Sequence, residues 1–149
     1  MTDPKNDLMA LARAVANAMY ARDHASQSLG MALLEARPGY ARLAMRVQQS
    51  MLNGHQTCHG GFIFALADSA FAFACNSHNR VTVAAGAAID FLAPGRLGDD
   101  LTATAEERTR SKRTGLYDVS VHNQKGECIA MFRGRSHQLE GHIIDSSVT

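Results

Sequence analysis

The sequence predicts an α+β domain in which one very apolar helix is wrapped by a curved, mostly antiparallel sheet. Residues 62–75 are rich in Ala, Leu and Phe and apolar nearly all round, which is typical of a helix buried on most sides. Two segments before this run and four after it are strand-like, and four of these six alternate between apolar and other residues as strands do. Short turn sequences join consecutive segments, and strands joined in this way pair antiparallel.

The length and composition are those of one domain spanning residues 1–149. A chain of 149 residues has the usual domain size, and two domains of half that length would each have a small core. The apolar fraction of 46%, against 19% charged residues, argues against disorder. Fifteen Lys and Arg nearly balance fourteen Asp and Glu, so we expect no broad surface for nucleic acid.

The cysteines and the N-terminus predict a cytoplasmic protein. Cys58, Cys75 and Cys128 are odd in number and widely spaced, which argues against a disulfide framework and fits a reducing compartment. The first residues lack the basic and apolar regions of a signal peptide. The run over residues 62–75 is too short to span a bilayer and contains Asp68, so we expect no membrane partner.

A helix and a β-hairpin are predicted before the apolar run. The helix lies in the N-terminal part of the domain, about residues 1–22. Asp3 is its N-cap, Pro4 is its first residue, and it ends at about Arg22. Its apolar residues recur at helical spacing: Leu8, Leu11, Ala12, Val15 and Met19. We expect a loop over residues 23–30. Two strands should follow, over residues 31–36 and from Tyr40 onwards, with the Pro38–Gly39 turn between them.

Four strands and a frayed tail are predicted after the apolar helix. We expect the strands over residues 81–92, 101–108, 116–123 and 127–137. In the first of these, simple alternation places Val83 and Ala85 on one face and the small residues Ala84 and Gly86 on the other. We expect residues 142–149 to be frayed.

Asp68 is the most unusual residue of the apolar run. An ionised carboxylate among alanine, leucine and phenylalanine is costly unless it is paired, hydrogen-bonded or protonated. One interpretation is structural, with the carboxylate capping a neighbouring backbone or pairing with an arginine. The other is catalytic, because a partly desolvated carboxylate is suited to act as a base. The neighbouring Ser69 fits a helix-packing role.

Gly60 and Gly61 lie at the N-terminus of the predicted buried helix. There the first N–H groups have no intrahelical partner, and glycine lets a ligand approach closely enough for a thioester or ester carbonyl to be polarised. The alternative is that the pair only permits a tight entry into the helix. Asp68 lies eight residues beyond Gly60, about 12 Å along a helix. One carbonyl group cannot contact both, so if both act on one bond they come from different subunits.

The segment before the glycines is polar and irregular and contains a second candidate cluster. His55, Cys58 and His59 could bind a metal, or a cysteine could pair with a histidine as a nucleophile. The spacing is not that of a zinc site, and we expect no metal. Cys58 and Cys75 fit small buried groups.

A group of cations follows the strand predicted over residues 101–108. It consists of Arg108, Arg110, Lys112 and Arg113. Such a group is most often a solvated strand end, and the preceding Glu106 and Glu107 argue against a nucleic-acid site. Alternatively, a patch of this size suits a compact polyphosphate such as coenzyme A (CoA), and Arg133 and Arg135 could join it.

Residues 53–61, Asn-Gly-His-Gln-Thr-Cys-His-Gly-Gly, together with Asp68 resemble the signature of hotdog-fold acyl-CoA thioesterases. The likeness is strongest to those of bacterial aerobic phenylacetate degradation. The pattern is Asn, then His-Gly-Gly, then Asp eight residues after the first Gly. The resemblance extends over about residues 5–142 through further stretches at residues 74–77, 89–95, 114–118 and 132–137. A helix wrapped by an antiparallel sheet is the hotdog fold.

The resemblance implies a hydrolase that cleaves phenylacetyl-CoA, or a ring-hydroxylated relative, with water and without a cofactor. Carried over by position, Asp68 is the nucleophile or general base, and the backbone N–H of Gly60 from the partner chain polarises the thioester carbonyl. Asn53 orients the water or the substrate, and His59 supports the site. Family members form dimers through a continuous sheet, and the dimers usually form tetramers. We therefore expect a homodimer with composite sites, within a dimer of dimers.

The resemblance also implies a set of contacts to the acyl-CoA. They are Gly61, Ala84, Gly86, Phe91, Lys112 and His137. Ala84 departs from the family, because some relatives carry a Ser or Thr there that positions water. In this chain the positioning of water must depend on other groups. We expect Lys112 near the phosphates of CoA.

Two other functions are compatible with the same fold. A hotdog hydratase or dehydratase would use a His with a carboxylate, for which His55 or His59 could serve, although an Asp inside the helix favours hydrolysis. A non-catalytic module would bind acyl-CoA without releasing thiol. Such a module would need an effector or DNA-binding segment, for which the chain has little room.

Overall fold

The computed structural model describes residues 3–145 and contains three α-helices and six strands. The helices are α1 (Pro4–Arg22), α2 (His24–Ser28) and α3 (Gly60–Cys75). The strands are β1 (Ala32–Arg37), β2 (Tyr40–Arg46), β3 (Thr82–Phe91), β4 (Asp100–Ser111), β5 (Thr114–His122) and β6 (Cys128–Gln138). A 3-10 turn, Gln49–Met51, precedes α3. Within residues 3–145, no helix is long and apolar enough to cross a membrane.

The six strands form one antiparallel sheet in the order β1-β2-β4-β5-β6-β3. Helix α3 packs against one face of this sheet and contacts every strand. Its first residue, Gly60, lies at the predicted glycine pair, and its last, Cys75, lies at the end of the apolar run over residues 62–75. The predicted α+β hotdog architecture is confirmed, and β1 and β3 are the two edge strands.

The core lies between α3 and the inner face of the sheet. Alternate residues of β4 and β5 point into it, and Leu101, Val119 and Val121 are fully buried there. From the helix, Phe71 packs against the rings of Tyr117 and Phe132, with ring centroids 5.5 Å and 5.9 Å away. Buried residues alternate with more exposed ones over residues 100–106 of β4 and along β5. This alternation fixes the register there, because a shift of one residue would expose the apolar set.

Gly134 of β6 lies directly beneath the Phe71 ring, and we expect Gly134→Ala to destabilise the fold. A Cβ at this position would come within 2.8 Å of three ring carbons, and Phe71 is held between two other rings. Overpacking of this kind costs about 1–3 kcal/mol. Urea unfolding should show this loss, whereas Gly54→Ala, where a Cβ meets nothing within 4 Å, should leave the stability nearly unchanged. Equal urea midpoints of unfolding for the two variants would contradict the close packing of Gly134 against the Phe71 ring.

Helix α1 begins as the sequence predicts, whereas the loop predicted over residues 23–30 is wrong in part. Asp3 accepts a hydrogen bond from the Lys5 N–H at 3.0 Å and caps α1. Residues 24–28 form the short helix α2, which Asp23 caps by accepting from the Ser26 N–H at 2.9 Å and the Ser26 hydroxyl at 2.6 Å. The polar residues that suggest a loop supply this cap, so they favour a helix start instead.

A β-bulge in β3 overturns the predicted faces of that strand. Ala84 pairs with the buried Ser136 and Gly86 pairs with the outward Arg135, so Ala85 is an extra residue. Ala84 therefore lies on the inner face and Gly86 on the outer face, although alternation predicts that they share one. Simple alternation fails because a bulge inserts a single residue and reverses the faces beyond it.

The predicted fraying of residues 142–149 is wrong for Ile143 and Ile144. The backbone N–H groups of both donate to Asn79 Oδ1 at 3.1 Å and 3.0 Å, and Asn79 Nδ2 donates to the Ile144 carbonyl at 3.0 Å. The buried Asn79 thus holds this part of the tail. Residues 146–149 lie outside the described part of the chain.

Candidate active site

The N-terminus of α3 presents one backbone N–H without an acceptor among residues 3–145. His59 is the N-cap, and its Nδ1 accepts from the Gly61 N–H at 2.9 Å. The Gly61 N–H is therefore occupied, and the Gly60 N–H is the one that remains. A Cβ on Gly60 would come within 2.9 Å of the Phe91 ring, so this position needs glycine for close approach as well as for helix entry.

Asn53 stabilises the loop that leads into α3. Its Oδ1 accepts from the backbone N–H of His55 at 2.9 Å and from both the backbone N–H and the hydroxyl of Thr57 at 3.2 Å. Its Nδ2 has no acceptor among residues 3–145, so the amide keeps two N–H donors. The carbonyl oxygen of Asn53 is thus committed to the loop, and only its NH2 group is available to a ligand.

An apolar cavity of about 520 Å³ lies beside the Gly60 N–H. Its walls come from the loop before α3, the first turn of α3 and the segment that follows β3. The lining residues are Thr57, Cys58, Gly60, Ile63, Phe91, Leu92, Ala93 and Pro94. Phe91 is 53% exposed, which leaves room for a ligand against its ring. A cavity of this size and composition suits a small apolar group next to a single donor.

Asp68 lies in the middle of α3 and is half-buried. Its carboxylate makes no hydrogen bond or ion pair with any of residues 3–145, so the structural interpretation, a cap or an arginine pair, is not realised within the described chain. Burial raises the pKa of Asp68 above its ordinary value. The neighbouring Ser69 hydroxyl lies 3.2 Å from that of Ser26, which agrees with a packing role.

The side of α3 that carries Asp68 is left uncovered by the chain itself. Gly61, Ala65, Asp68 and Ala72 are all at least partly exposed and recur at helical spacing along it. The other residues on this side are small, so another element could approach the helix backbone closely. Because Gly60 and Asp68 belong to one uninterrupted helix, the two residues are about 12 Å apart along its axis.

The remaining predicted contact residues divide between the two ends of α3. Phe91 lies with Asn53, His59 and Gly60 at the N-terminal end. At the opposite end are Ala84 on the inner face of β3, His137 on the outer face of β6, and Lys112 in the β4–β5 turn. Gly86, on the outer face of β3, is covered by Arg135, whose Nη2 would lie 3.0 Å from a Cβ at that position. One chain therefore does not bring these residues together.

The thiol and metal alternatives find no support in the geometry. Cys58 is buried, burial raises its pKa to about 11, and its Sγ points at the His59 carbonyl oxygen rather than at a histidine ring. Burial likewise raises the pKa of Cys75 to about 12. Within residues 3–145, no three His, Cys, Asp or Glu residues converge as metal ligands would.

The cation group predicted from the sequence is split by the register of the sheet. Arg108 and Arg133 both donate to Asp118, at 2.8 Å and 2.7 Å, and their hydrogen bonds hold the pKa of Asp118 below its ordinary value. Arg133 is thus engaged by a carboxylate, and the expectation that Arg133 and Arg135 join a phosphate site stays a prediction. Lys112 has no carboxylate partner within residues 3–145.

A partly buried polar network that sequence reasoning missed lies at the C-terminal end of α3. Glu107 Oε1 accepts from the Tyr117 hydroxyl at 2.7 Å and lies 2.9 Å from His78 Nε2. Burial alone would raise the pKa of Glu107, but the hydrogen bonds from Tyr117 and His78 outweigh it and lower that pKa. No local pattern could reveal this network, since it joins residues 29 and 10 positions apart.

Comparison with known proteins identifies the family. The family model of the thioesterase superfamily matches residues 55–130. This range includes the start of α3, Asp68 and strands β3 to β5. The chain belongs to the thioesterase superfamily. The resemblance found in residues 53–68 is thereby confirmed, and this thioesterase is an enzyme of a hydrolytic family.

Individual relatives agree with this assignment. The acyl-coenzyme A thioesterase PaaI of Escherichia coli K12 is 49% identical over 128 residues, covering 86% of this thioesterase and 91% of PaaI. The structure of E. coli PaaI, from the phenylacetic acid degradation operon, has a TM-score of 0.90 at 47% identity and covers 91% and 98% of the two chains. A hypothetical thioesterase with coenzyme A from Streptococcus pneumoniae has a TM-score of 0.73 at 25% identity, covering 75% and 90%.

Proposed function

We propose that the protein hydrolyses acyl-CoA thioesters to the free acid and CoA, with phenylacetyl-CoA or a ring-hydroxylated relative as its acyl substrate. The observation that carries this proposal is Asp68, a half-buried carboxylate that has no partner among residues 3–145. It lies on the helix whose first N–H also lacks an acceptor within that part of the chain. The two descriptions of E. coli PaaI, as an acyl-CoA thioesterase and as a protein from the phenylacetic acid degradation operon, support the substrate class.

The active site in this proposal is built from two copies of the chain. Asp68 and Gly60 of one chain are about 12 Å apart, too far for one carbonyl group to contact both. If two α3 helices pack antiparallel along their uncovered sides, Asp68 of each chain meets Gly60 of the other. The small residues flanking Asp68 permit such an approach, and the two-fold axis makes two equivalent sites.

The exposed edge of β3 supports the same dimer. Among the described residues 3–145, strand β3 has a neighbouring strand only on its β6 side, and most of its residues are exposed. A long exposed edge pairs readily with another strand, and a second β3 would continue the sheet across the two-fold axis. We further propose that two such dimers form a tetramer and that the enzyme acts in the cytoplasm, where its three unpaired cysteines stay reduced.

The proposed hydrolysis needs a group that attacks or activates water and a donor for the charge that develops on the thioester carbonyl oxygen. Asp68 either attacks the thioester carbon itself or takes a proton from the attacking water, and its raised pKa suits the second role. The carbonyl oxygen gains negative charge, which the partner's Gly60 N–H and the N-terminus of its α3 stabilise. In the general-base route the carbon–sulfur bond then breaks, the hydroxyl of water stays on the acid, and Asp68 returns the proton to the leaving sulfur of CoA. In the nucleophilic route the carbon–sulfur bond breaks as an acyl–Asp68 anhydride forms, and water then cleaves this anhydride to the free acid and restores the Asp68 carboxylate.

Asn53 and His59 orient the reactants in this proposal. The free NH2 group of Asn53 donates to the water or the substrate, and His59 holds the first turn of α3 in place through the Gly61 N–H. Because Ala84 has no hydroxyl, Asn53 and Asp68 must position the water. Phe91 and Ile63 line the apolar cavity beside Gly60, and we assign this cavity to the aromatic acyl group.

Thiol release from a panel of thioesters tests the proposal. We expect fastest turnover with phenylacetyl-CoA and hydroxyphenylacetyl-CoA, and slower turnover with acetyl-, hexanoyl- and palmitoyl-CoA. Preference for straight chains would contradict the aromatic assignment and keep the hydrolysis. An enoyl or hydroxyacyl product without free thiol would indicate a hydratase or dehydratase. Tight binding of acyl-CoA without any product would indicate a binding module.

A further inference from the structure

Four consecutive polar residues follow α3, and each of them binds a different part of the chain. They are Asn76, Ser77, His78 and Asn79. Asn76 exchanges two hydrogen bonds with the backbone of Thr82 at the start of β3, at 2.9 Å and 3.0 Å. Ser77 accepts from the Gly39 N–H at 2.8 Å, and Asn79 binds the backbone of residues 143–144. Three buried side chains thus fix the C-terminal end of α3 to three other parts of the fold.

His78 makes the fourth connection, and its partner is the carboxylate of Glu107 in β4. Its Nε2 lies 2.9 Å from Glu107 Oε1, and the same oxygen accepts from the Tyr117 hydroxyl at 2.7 Å. The backbone N–H of Glu107 donates to the Gly39 carbonyl at 2.8 Å, and a Cβ on Gly39 would come within 2.9 Å of the Glu107 Cβ. Because β5 and the β1–β2 turn both hold Glu107, its carboxylate gives His78 a fixed point of attachment.

The place of Glu107 within β4 is unusual for a carboxylate. The preceding inward positions of this strand are apolar and fully buried: Leu101, Ala103 and Ala105. Glu107 occupies the next inward position, opposite Tyr117, and its side chain is only 25% exposed. A charge in such a place adds little net stability over an apolar side chain, because the cost of desolvation offsets the attraction. Hydrogen bonds are directional, however, and therefore fix an orientation that apolar contacts do not.

Asp68 depends on the way in which α3 is held. Its carboxylate makes no hydrogen bond or ion pair with any of residues 3–145, so the rest of this part of the chain orients it only through the helix. The His59 cap holds one end of α3, and the segment that contains His78 holds the other. A misplacement of about 1 Å in a reacting group costs about 10²-fold in rate. The attachment of both helix ends therefore bears on the chemistry of Asp68.

We propose that Glu107 and His78 are positioning residues, which hold the C-terminal end of α3 so that Asp68 is aligned with the thioester. This inference rests on the proposed function, because it takes Asp68 as the reacting carboxylate. Glu107 and His78 act through the helix and not through the substrate. Their loss should therefore lower kcat and leave KM nearly unchanged.

Replacement of the whole network by apolar side chains separates positioning from stability. In His78→Leu/Glu107→Leu/Tyr117→Phe, no polar side chain of the network remains without a partner, so we expect a Tm within a few degrees of wild type. We expect kcat to fall about tenfold with little change in KM, because α3 loses its directional attachment. Glu106→Leu, at the neighbouring exposed position, is the matched control and should keep kcat. A kcat of the triple variant equal to that of wild type would overturn the proposal.

Two conservative variants provide a test that does not depend on the triple variant folding well. Glu107→Gln keeps the length of the side chain and an oxygen that accepts from Tyr117 and His78, and it should keep most of kcat. Glu107→Asp keeps the charge but is shorter, so its oxygens no longer reach both donors, and kcat should fall several-fold. A larger loss of kcat in Glu107→Gln than in Glu107→Asp would mean that charge matters and not position, and would overturn the proposal.

Amide hydrogen exchange over α3 tests the attachment without any turnover. We expect the amides of residues 69–75 to exchange faster in the triple variant than in wild type, because the end of the helix opens locally more often. The amides at the start of α3, which the His59 cap holds, should exchange at the wild-type rate. Unchanged exchange over residues 69–75 would overturn the proposal. Failure of the proposed hydrolysis would instead appear as a wild-type protein that releases no thiol, whatever the exchange result.

Discussion

Asp68→Asn is expected to lower kcat for the preferred acyl-CoA by about 10³-fold while KM changes little, since general-base catalysis contributes roughly 10²–10⁴-fold. The amide has nearly the volume of the carboxylate, and Asp68 makes no hydrogen bond within residues 3–145 that the change would break. Ser69→Ala, one position along α3, is the matched control and should keep most activity. Normal turnover in Asp68→Asn would exclude Asp68 both as nucleophile and as essential base.

The same substitution should stabilise the fold at neutral pH. Burial raises the pKa of Asp68, so the folded state binds its proton more tightly than the unfolded chain does. Stability from this group is therefore complete below the unfolded pKa and is lost as pH rises through the folded pKa. Asp68→Asn should have a higher Tm than wild type at pH 7, and the difference should shrink as the pH falls through the acidic range. A Tm difference that grows on acidification would contradict this cause.

A raised pKa also predicts the pH profile of the wild-type enzyme. If ionised Asp68 is the attacking or accepting group, kcat/KM should fall on the acid side with an apparent pKa above that of an ordinary aspartate. The Ser69→Ala variant should show the same fall of kcat/KM on the acid side. If kcat/KM stays constant down to the pH range in which ordinary aspartates titrate, another group carries the reaction.

The sequence predicts those features that depend on local patterns. The apolar run gives α3 its position and burial, and Asp68 stands out within it because a carboxylate is unusual among apolar side chains. The N-cap at Asp3 and the turn at Gly39, with a φ of 70°, likewise follow from residue type and immediate neighbours. The candidate site at the start of α3 could be found for the same reason.

Features that depend on register could not be predicted. A strand made largely of small residues gives no sequence signal for the extra residue at Ala85. The faces that simple alternation predicts for β3 beyond Ala85 are therefore opposite to those in the structure. Pairing of Asp118 with Arg108 and Arg133 needs two neighbouring strands in a particular register. The network of Glu107, His78 and Tyr117 requires β4, β5 and the segment after α3 to meet, which no single segment encodes.

Gly60→Pro should remove the proposed oxyanion donor without disturbing the helix, and we expect kcat to fall by about 10²–10³-fold. Gly60 is the first residue of α3, where proline is well tolerated, and His59 has a ψ of 132°, which suits the residue before a proline. Gly60→Ala is the matched control, because it adds the same Cβ near Phe91 and keeps the N–H. Similar losses in the two variants would mean that crowding of Phe91, not the N–H, causes the defect.

Mixed dimers then decide whether Asp68 and Gly60 act across the two chains. A dimer with one Asp68→Asn chain and one Gly60→Pro chain, purified through two different tags, contains one site with both defects. Its other site combines the intact Asp68 of one chain with the intact Gly60 of its partner. If the sites are composite, this mixed dimer should recover about half of the wild-type kcat per dimer although both parent homodimers are nearly inactive. If each site lies within one chain, every site keeps one defect, and mixing restores nothing. The 12 Å between the two groups along α3 favours the first result, since a carbonyl oxygen and the atom that attacks its carbon are far closer than that.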